Sequence, residues 1–220
     1  MDIVRSRFIN TAYRASVLYN NKISARHLLR AGVTASRLGF DYQSEYYDEV
    51  DDTWKHFING EGNAMYYQAY VQWKWRMTNR WTLNTGLHGS LFDLNDSKSL
   101  EPRASIAYQF KPGESLALSA GLHSKPEHLS TYYFKNTNHS LGLQDINKSL
   151  DLIRAAHLVL AYERIIFRNI RVKAEAYYQH LYKVPVEKDM ESEFSMLNAG
   201  DVYGLVSVDS ALVSKGKGTN

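Results

Sequence analysis

The sequence predicts an all-β protein, an antiparallel up-and-down meander of about eight strands with the start of a ninth, forming part of a transmembrane β-barrel. Three observations carry that expectation. Apolar and polar residues alternate with a period of two along most of the chain. Tight connections alternate with long ones. Tryptophan and tyrosine gather on the apolar faces, close to the tight connections.

Composition sets the bounds. The 220 residues carry a net charge of +3, with 16 Tyr, only 4 Pro and a mean hydropathy of −0.42. A Tyr-rich, Pro-poor chain suits β-structure better than disorder. Its charge is small and scattered, with no run of five like charges, which argues against a nucleic-acid partner. Cysteine is absent, which excludes disulfides, thiolate metal sites and a cysteine nucleophile. "MDIVRSRFINTAYRAS" lacks the apolar core of a signal peptide, and nowhere do about 18 apolar residues run together as a membrane helix requires. Strands that alternate escape that test, because their hydropathy averages out.

The strands follow in order. Ile9, Thr11, Tyr13, Ala15, Val17 and Tyr19 make one face, opposite Asn10, Arg14 and Ser16. Leu29 to Ser36 repeats the pattern. Ala64 to Thr78 gives the clearest case: Met65, Tyr67, Ala69, Val71, Trp73, Trp75 and Met77 alternate with Tyr66, Gln68, Tyr70, Gln72, Lys74, Arg76 and Thr78. Trp81 to Leu91, Arg103 to Phe110, Ser115 to His123, Ala156 to Glu163 and Ile170 to Gln179 complete the set. Several reach the roughly 9–11 residues that a bilayer-spanning strand needs.

Between them, "NNK" (20–22), "TNR" (78–80), "KPGE" (111–114) and "FRN" (167–169) read as tight hairpins. A long polar loop is expected near 43–63, a short one near 93–98, a long one near 125–150 and another from about 184. Outer-membrane barrels show this asymmetry, with short turns on one side of the membrane and longer loops on the other. Trp73, Trp75, Trp81, Tyr108, Phe110 and Tyr162 lie on the apolar face near the tight turns, where an interfacial aromatic girdle would stand. Soluble sandwich strands are usually about 5–6 residues long and carry more charge on their exposed face. The small-residue polar faces here suit a watery or crowded interior.

The stretch "SLEPRASIAYQFKPGESLALSAGLHSKPEHLSTYYF" (99–134) resembles the barrel of TonB-dependent outer-membrane receptors, in the subgroup that carries a carboxypeptidase-regulatory-like N-terminal domain. "HLVLAYERIIFRNIRVKAEAYYQHLYKVPVE" (157–187), "SEFSMLNAG" (192–200) and "LVSKGKGTN" (212–220) continue the likeness. It is strongest over residues 64–220. The resemblance implies that 1–220 is a single partial barrel domain, a wall segment of a receptor for energised uptake of a scarce solute across an outer membrane. Its implied partners are outer-membrane lipid, a plug domain with the remaining barrel, and the TonB complex reached through a region outside this sequence. Two other readings stay open: a small self-contained outer-membrane barrel, porin-like or structural, and a soluble β-sandwich binding module.

Catalysis finds little support. His88, His123 and His157 fall on polar faces, without the H-x-x-x-H or H-E-x-x-H spacing of a zinc site. "YYDEVDD" (46–52) reads as a solvated acidic loop rather than a calcium loop, since it lacks the glycine and terminal glutamate of an EF-hand. No G-x-S-x-G, P-loop or G-x-G-x-x-G motif occurs. The expectation is therefore no enzyme, no catalytic or metal-binding residue and no cofactor. Inward charges Glu101, Arg103, Arg171, Lys173 and Glu175 are the candidate lumen-facing residues, expected to pair with one another across strands. Trp54, Phe57, Tyr132, Tyr133 and Phe134 are the candidate loop contacts to a ligand.

Overall fold

A computed structural model describes residues 4–133, 147–167, 170–189, 191–198 and 211–220, with the backbone alone for 57 and 58. The described strands are β1 (Val4–Lys22), β2 (His27–Asp48), β3 (Thr53–Arg76), β4 (Trp81–Phe92), β5 (Ser97–Lys111), β6 (Glu114–Lys125), β7 (Ile153–Ile166), β8 (Ile170–Glu187) and β9 (Leu212–Thr219). They form one sheet in chain order, every neighbour antiparallel. That is the expected meander. A four-residue helix, α1 (Leu129–Tyr132), is the sole helix among the described residues, and no helix is long and apolar enough to cross a membrane.

Register turns the alternation of single strands into two continuous faces. Ala15, Ala35, Tyr67, Leu91 and Lys98 stand side by side on the outward face, and Val17, Val33, Ala69, Gly89 and Leu100 form the row next to them. The inward face carries Ser16, Thr34, Gln68, Ser90 and Ser99 in one row, then Leu18, Gly32, Tyr70, His88 and Glu101. No second layer packs on the outward face among the described residues. Val17 is 69% exposed there, Leu118 47% and Leu158 47%. A sandwich would bury such side chains against a partner sheet.

The aromatic girdle is present at the tight-turn end. His27, Trp73 and Trp75 stack, with Trp73 and Trp75 ring centroids 5.5 Å apart, and Trp73 Nε1 donates to His27 Nδ1 at 3.2 Å. Trp81 and Tyr108 lie 4.7 Å apart, Tyr108 and Phe110 5.0 Å.

Several boundaries differ from expectation. The first tight turn falls at 23–26 rather than 20–22, because Ser24 Oγ accepts the backbone N–H groups of Arg26 and His27 and nucleates the turn there. Thr78 does the same for Arg80 and Trp81, as expected of 78–80. At Pro112–Gly113 the glycine adopts φ +79°, the left-handed conformation the turn requires. Arg168 and Asn169 of the last expected turn lie outside the described residues.

The larger correction concerns 43–63. These residues are not a loop. β2 continues to Asp48, β3 starts at Thr53, and only 49–52 form the turn. At 22 and 24 residues these strands would run roughly 70–80 Å if straight, far beyond the about 25 Å tall apolar band of a barrel. Their distal arms therefore extend well past a band of that height. There the charges that suggested a loop pair across the hairpin: Lys55 Nζ meets Asp48 at 2.6 Å and also Asp51, and His56 Nε2 lies 3.2 Å from Glu45. Polar composition marks where the sheet leaves the apolar zone, not where pairing stops.

At this same end, the inner face holds a compact apolar core. Phe40, Tyr42, Tyr66 and Phe92 from β2–β4 pack with Tyr132 of α1, with Leu150 and Leu152 of the following segment, and with Leu212. Phe92 and Tyr132 are fully buried, their rings 5.1 Å apart. The described ends of the long connection after β6, 126–133 and 147–152, thus fold inward over the sheet.

Candidate functional site: the inner polar band

Beneath this core the inner face turns polar, and two of the five expected inward charges, Glu101 and Arg103, meet there. Glu101 and Arg103 sit two positions apart on β5, which places both on one face. The Glu101 side chain is 2% exposed. Arg103 Nη2 donates to its Oε2 at 2.6 Å, and Ser99 Oγ and Ser124 Oγ donate to Oε1 at 2.7 and 2.5 Å. His88 Nδ1 lies 3.0 Å from Oε2, but off the direction of a hydrogen bond. A buried carboxylate is tolerated only when its lone pairs are filled in this way.

The position of this group explains its construction. The β5–β6 ladder runs from Lys111↔Glu114 only as far as Arg103↔Gly121, so the two strands part above that pair. Across the parting, Ser124 reaches Glu101, Arg103 Nε donates to the Leu122 carbonyl at 3.4 Å, and Arg154 Nη2 of β7 donates to the Lys98 carbonyl at 3.1 Å. Glu101 is the centre of a clasp that holds the wall closed where main-chain pairing ends. Because Ser99, Glu101 and Arg103 recur at intervals of two, part of the clasp was visible in the sequence. Ser124 was not, since only the strand geometry brings it near.

Next to the clasp lies a concavity of about 520 Å³, lined on its inner side by Arg30, Tyr70, Gln72, His88, Arg103 and His157. His123 and His157 face each other with ring centroids 4.5 Å apart, and His157 Nε2 is buried without a hydrogen-bond partner. Among the described residues Arg30 has no ion-pair partner, so this concavity presents mainly donors. No group of three His, Asp or Glu is arranged to hold a metal ion among the described residues.

Arg171, Lys173 and Glu175 also lie on the inward face, nearer the tight-turn end. Arg171 Nη2 pairs with Glu163 across β7–β8 at 2.5 Å, and Lys173 Nζ with Glu175 along β8 at 2.7 Å. Each charge is thus neutralised locally. They remain remote from the clasp in sequence register, joined to it only by the sheet.

The loop aromatics divide differently. Tyr132 does not present a surface: it is a core residue whose phenol oxygen accepts the Glu127 N–H at 3.2 Å. Tyr133 is half-buried, rests 5.5 Å from the Phe40 ring, and donates its hydroxyl to the Asn63 carbonyl at 2.8 Å. Trp54 stands on β3 rather than on a loop, with the Arg5 guanidinium 4.1 Å above its ring. Phe57 also belongs to β3, but its side chain lies outside the described residues, as does all of Phe134.

No family model matches the chain, and no curated protein matches its sequence. Its fold matches solved outer-membrane transporters at low identity. The copper transporter OprC superimposes with a TM-score of 0.62 at 13% identity, over 84% of this chain and 32% of that one. The FrpB iron transporter of Neisseria meningitidis gives 0.60 at 13% identity, over 94% and 32%. The RagAB peptide transporter gives 0.62 at 10% identity, over 97% and 27%. The chain therefore spans about a third or less of the length of these neighbours, and it has the fold of a section of their barrel walls.

Proposed function

We propose that the chain is a wall segment of an outer-membrane transporter of the TonB-dependent type, serving uptake of a scarce solute. Residues 1–220 act as one partial barrel domain, whose edge strands β1 and β9 pair with further strands of the complete receptor. The observation that carries this reading is the uncovered apolar outward face, bounded at the tight-turn end by the Trp73–Trp75 and Trp81–Tyr108 girdle. Lipid is the partner that such a face fits.

On this reading the polar band lines the lumen. Arg30, Gln72 and His157 offer donors to a plug domain or to a passing solute, while the Glu101 clasp keeps the wall closed behind them. TonB would supply energy through the plug, and no catalytic step is needed in the wall. Copper, iron and peptide are named for the three neighbours, so likeness of fold leaves the solute open.

The test is partition. The full chain is refolded with and without lipid vesicles, and β-content is followed by circular dichroism. Tryptophan emission is read with acyl chains brominated at different depths. β-rich protein that forms only with lipid, its tryptophans quenched best by shallow bromines, supports the reading. A soluble, monomeric, cooperatively folded chain in plain buffer overturns it.

A further inference from the structure

The wall of β1–β5 carries charge of one sign toward its tight-turn end. No Asp or Glu occurs in 11–40, 64–92 or 102–113, while these stretches hold ten Lys and Arg residues. Strand register collects four of those cations on the inward face. Lys22, Leu28, Lys74 and Asn84 stand in one row, Arg30, Gln72 and Gly86 in the row above, and Arg76 with Thr82 in the row nearest the turns.

None of these four side chains has an ion pair or a hydrogen bond among the described residues. Glu101, Glu163 and Glu175 of the same face are already matched, by Arg103, Arg171 and Lys173. Lys22 and Lys74 are two strand spacings apart, about 10 Å between backbones, and the rows of Arg30 and Arg76 lie roughly 7 Å to either side. Like charges at this spacing repel one another, and the field they make in a low-dielectric wall draws anions. It leads into the concavity of about 520 Å³, on whose rim Arg30 and Gln72 stand. The small residues Gly86, Ser105, Ser119 and Gly121 keep that concavity open.

We propose that this inward track carries a multiply charged anionic solute, bearing carboxylates or phosphates, which rests in the concavity against Arg30 and moves past Lys74 and Lys22 to Arg76 at the tight-turn mouth. The inference rests on the transporter reading above and names its substrate class. Charge argues for an anion, since Lys and Arg without partner carboxylates are how a pore selects anions and phosphates. Size argues for a small one. A few hundred Å³ is the volume of a small-molecule site, whereas specific protein contacts spread over a far larger surface.

The full chain, folded in detergent micelles, is titrated by calorimetry with tricarballylate and with inorganic pyrophosphate. Sucrose and spermidine serve as neutral and cationic controls, and a hexaglutamate peptide stands for an acidic protein segment. Expected is saturable binding of at least one of the two small anions, weakening as salt is raised, with no binding of either control. The tighter of the two tells carboxylate from phosphate. Arg30→Gln with Lys74→Gln should weaken it roughly tenfold by removing two cations, while Arg30→Lys with Lys74→Arg, which keeps both charges, should hold binding within about twofold. Unaltered binding in the neutral variant, an equal loss in the charge-keeping one, or sucrose bound as well as the anions overturns the proposal. Hexaglutamate bound where neither small anion is makes the track a protein-docking surface, and overturns it too. A chain that inserts into micelles but binds no anion defeats this inference alone, whereas a chain that never inserts defeats the membrane reading and this one with it.

Discussion

Glu101→Gln is the most informative single change. The carboxylate is 2% exposed and accepts three hydrogen bonds, two from serine hydroxyls and one from Arg103. Charge-assisted bonds are each worth about 1.5–3 kcal/mol and neutral ones about 1 kcal/mol. In the glutamine variant the amide oxygen keeps Ser99 and Ser124 at neutral strength. Its NH2 then faces the Arg103 donors, and that bond is lost. The guanidinium, 43% exposed, turns to water, which limits the penalty. The net cost is about 3 kcal/mol. Arg103→Gln alone should cost about 1–2 kcal/mol, and the double variant less than the sum, because the two amides can bond to each other. Stability is read from urea unfolding of the micelle-folded chain. A Glu101→Gln variant within about 0.5 kcal/mol of wild type would refute the clasp, since surface substitutions fall in that range.

Further outcomes follow from other elements. Phe92→Ala should cost about 3–5 kcal/mol by opening a void beside Tyr132, and should speed limited proteolysis within 126–152. At Gly86 a Cβ would meet the Val71 carbonyl oxygen at 2.9 Å, a backbone atom that cannot step aside, so Gly86→Ala should destabilise the β3–β4 pairing by about 1–3 kcal/mol and lower the yield of heat-modifiable folded protein. At the exposed β2–β3 tip, Lys55 holds the Asp48 carboxyl below its ordinary value. Its contribution is present above the ordinary carboxylate pKa and is lost as pH falls through the depressed one. Amide exchange at 48–55 should therefore accelerate only in acid, and Lys55→Gln should weaken that dependence without abolishing it, because the Val50 and Asp51 N–H groups also donate to Asp48. Burial pushes the Tyr132 phenol upward, so its absorbance should not titrate where the exposed tyrosines do.

How much of this was legible in the sequence differs by element. Period-two alternation is a local property, so β3 to β8 and their two faces could be read directly, as could the girdle and two of the tight turns. Where alternation meets charge the reading stopped early. Residues 43–63 look like a loop because polar, charged composition alone does not distinguish a loop from a paired strand that continues beyond the apolar zone. Tyr132 looked like a surface aromatic for a similar reason, as nothing local signals that 129–132 folds back onto Phe92.

By itself, then, the sequence determined the class of fold, the identity of the outward-facing and inward-facing sets, and the inward charges, because all of these depend on which side of a pleat a residue occupies. Tertiary structure decided what those residues do. Only the parting of β5 from β6 makes Glu101 a clasp with Ser124, and only the register of three strands brings Lys22 and Lys74 into one row beneath Arg30. Neighbours across strands lie tens of positions apart in the chain, and hydrogen-bond register, not sequence spacing, chooses them.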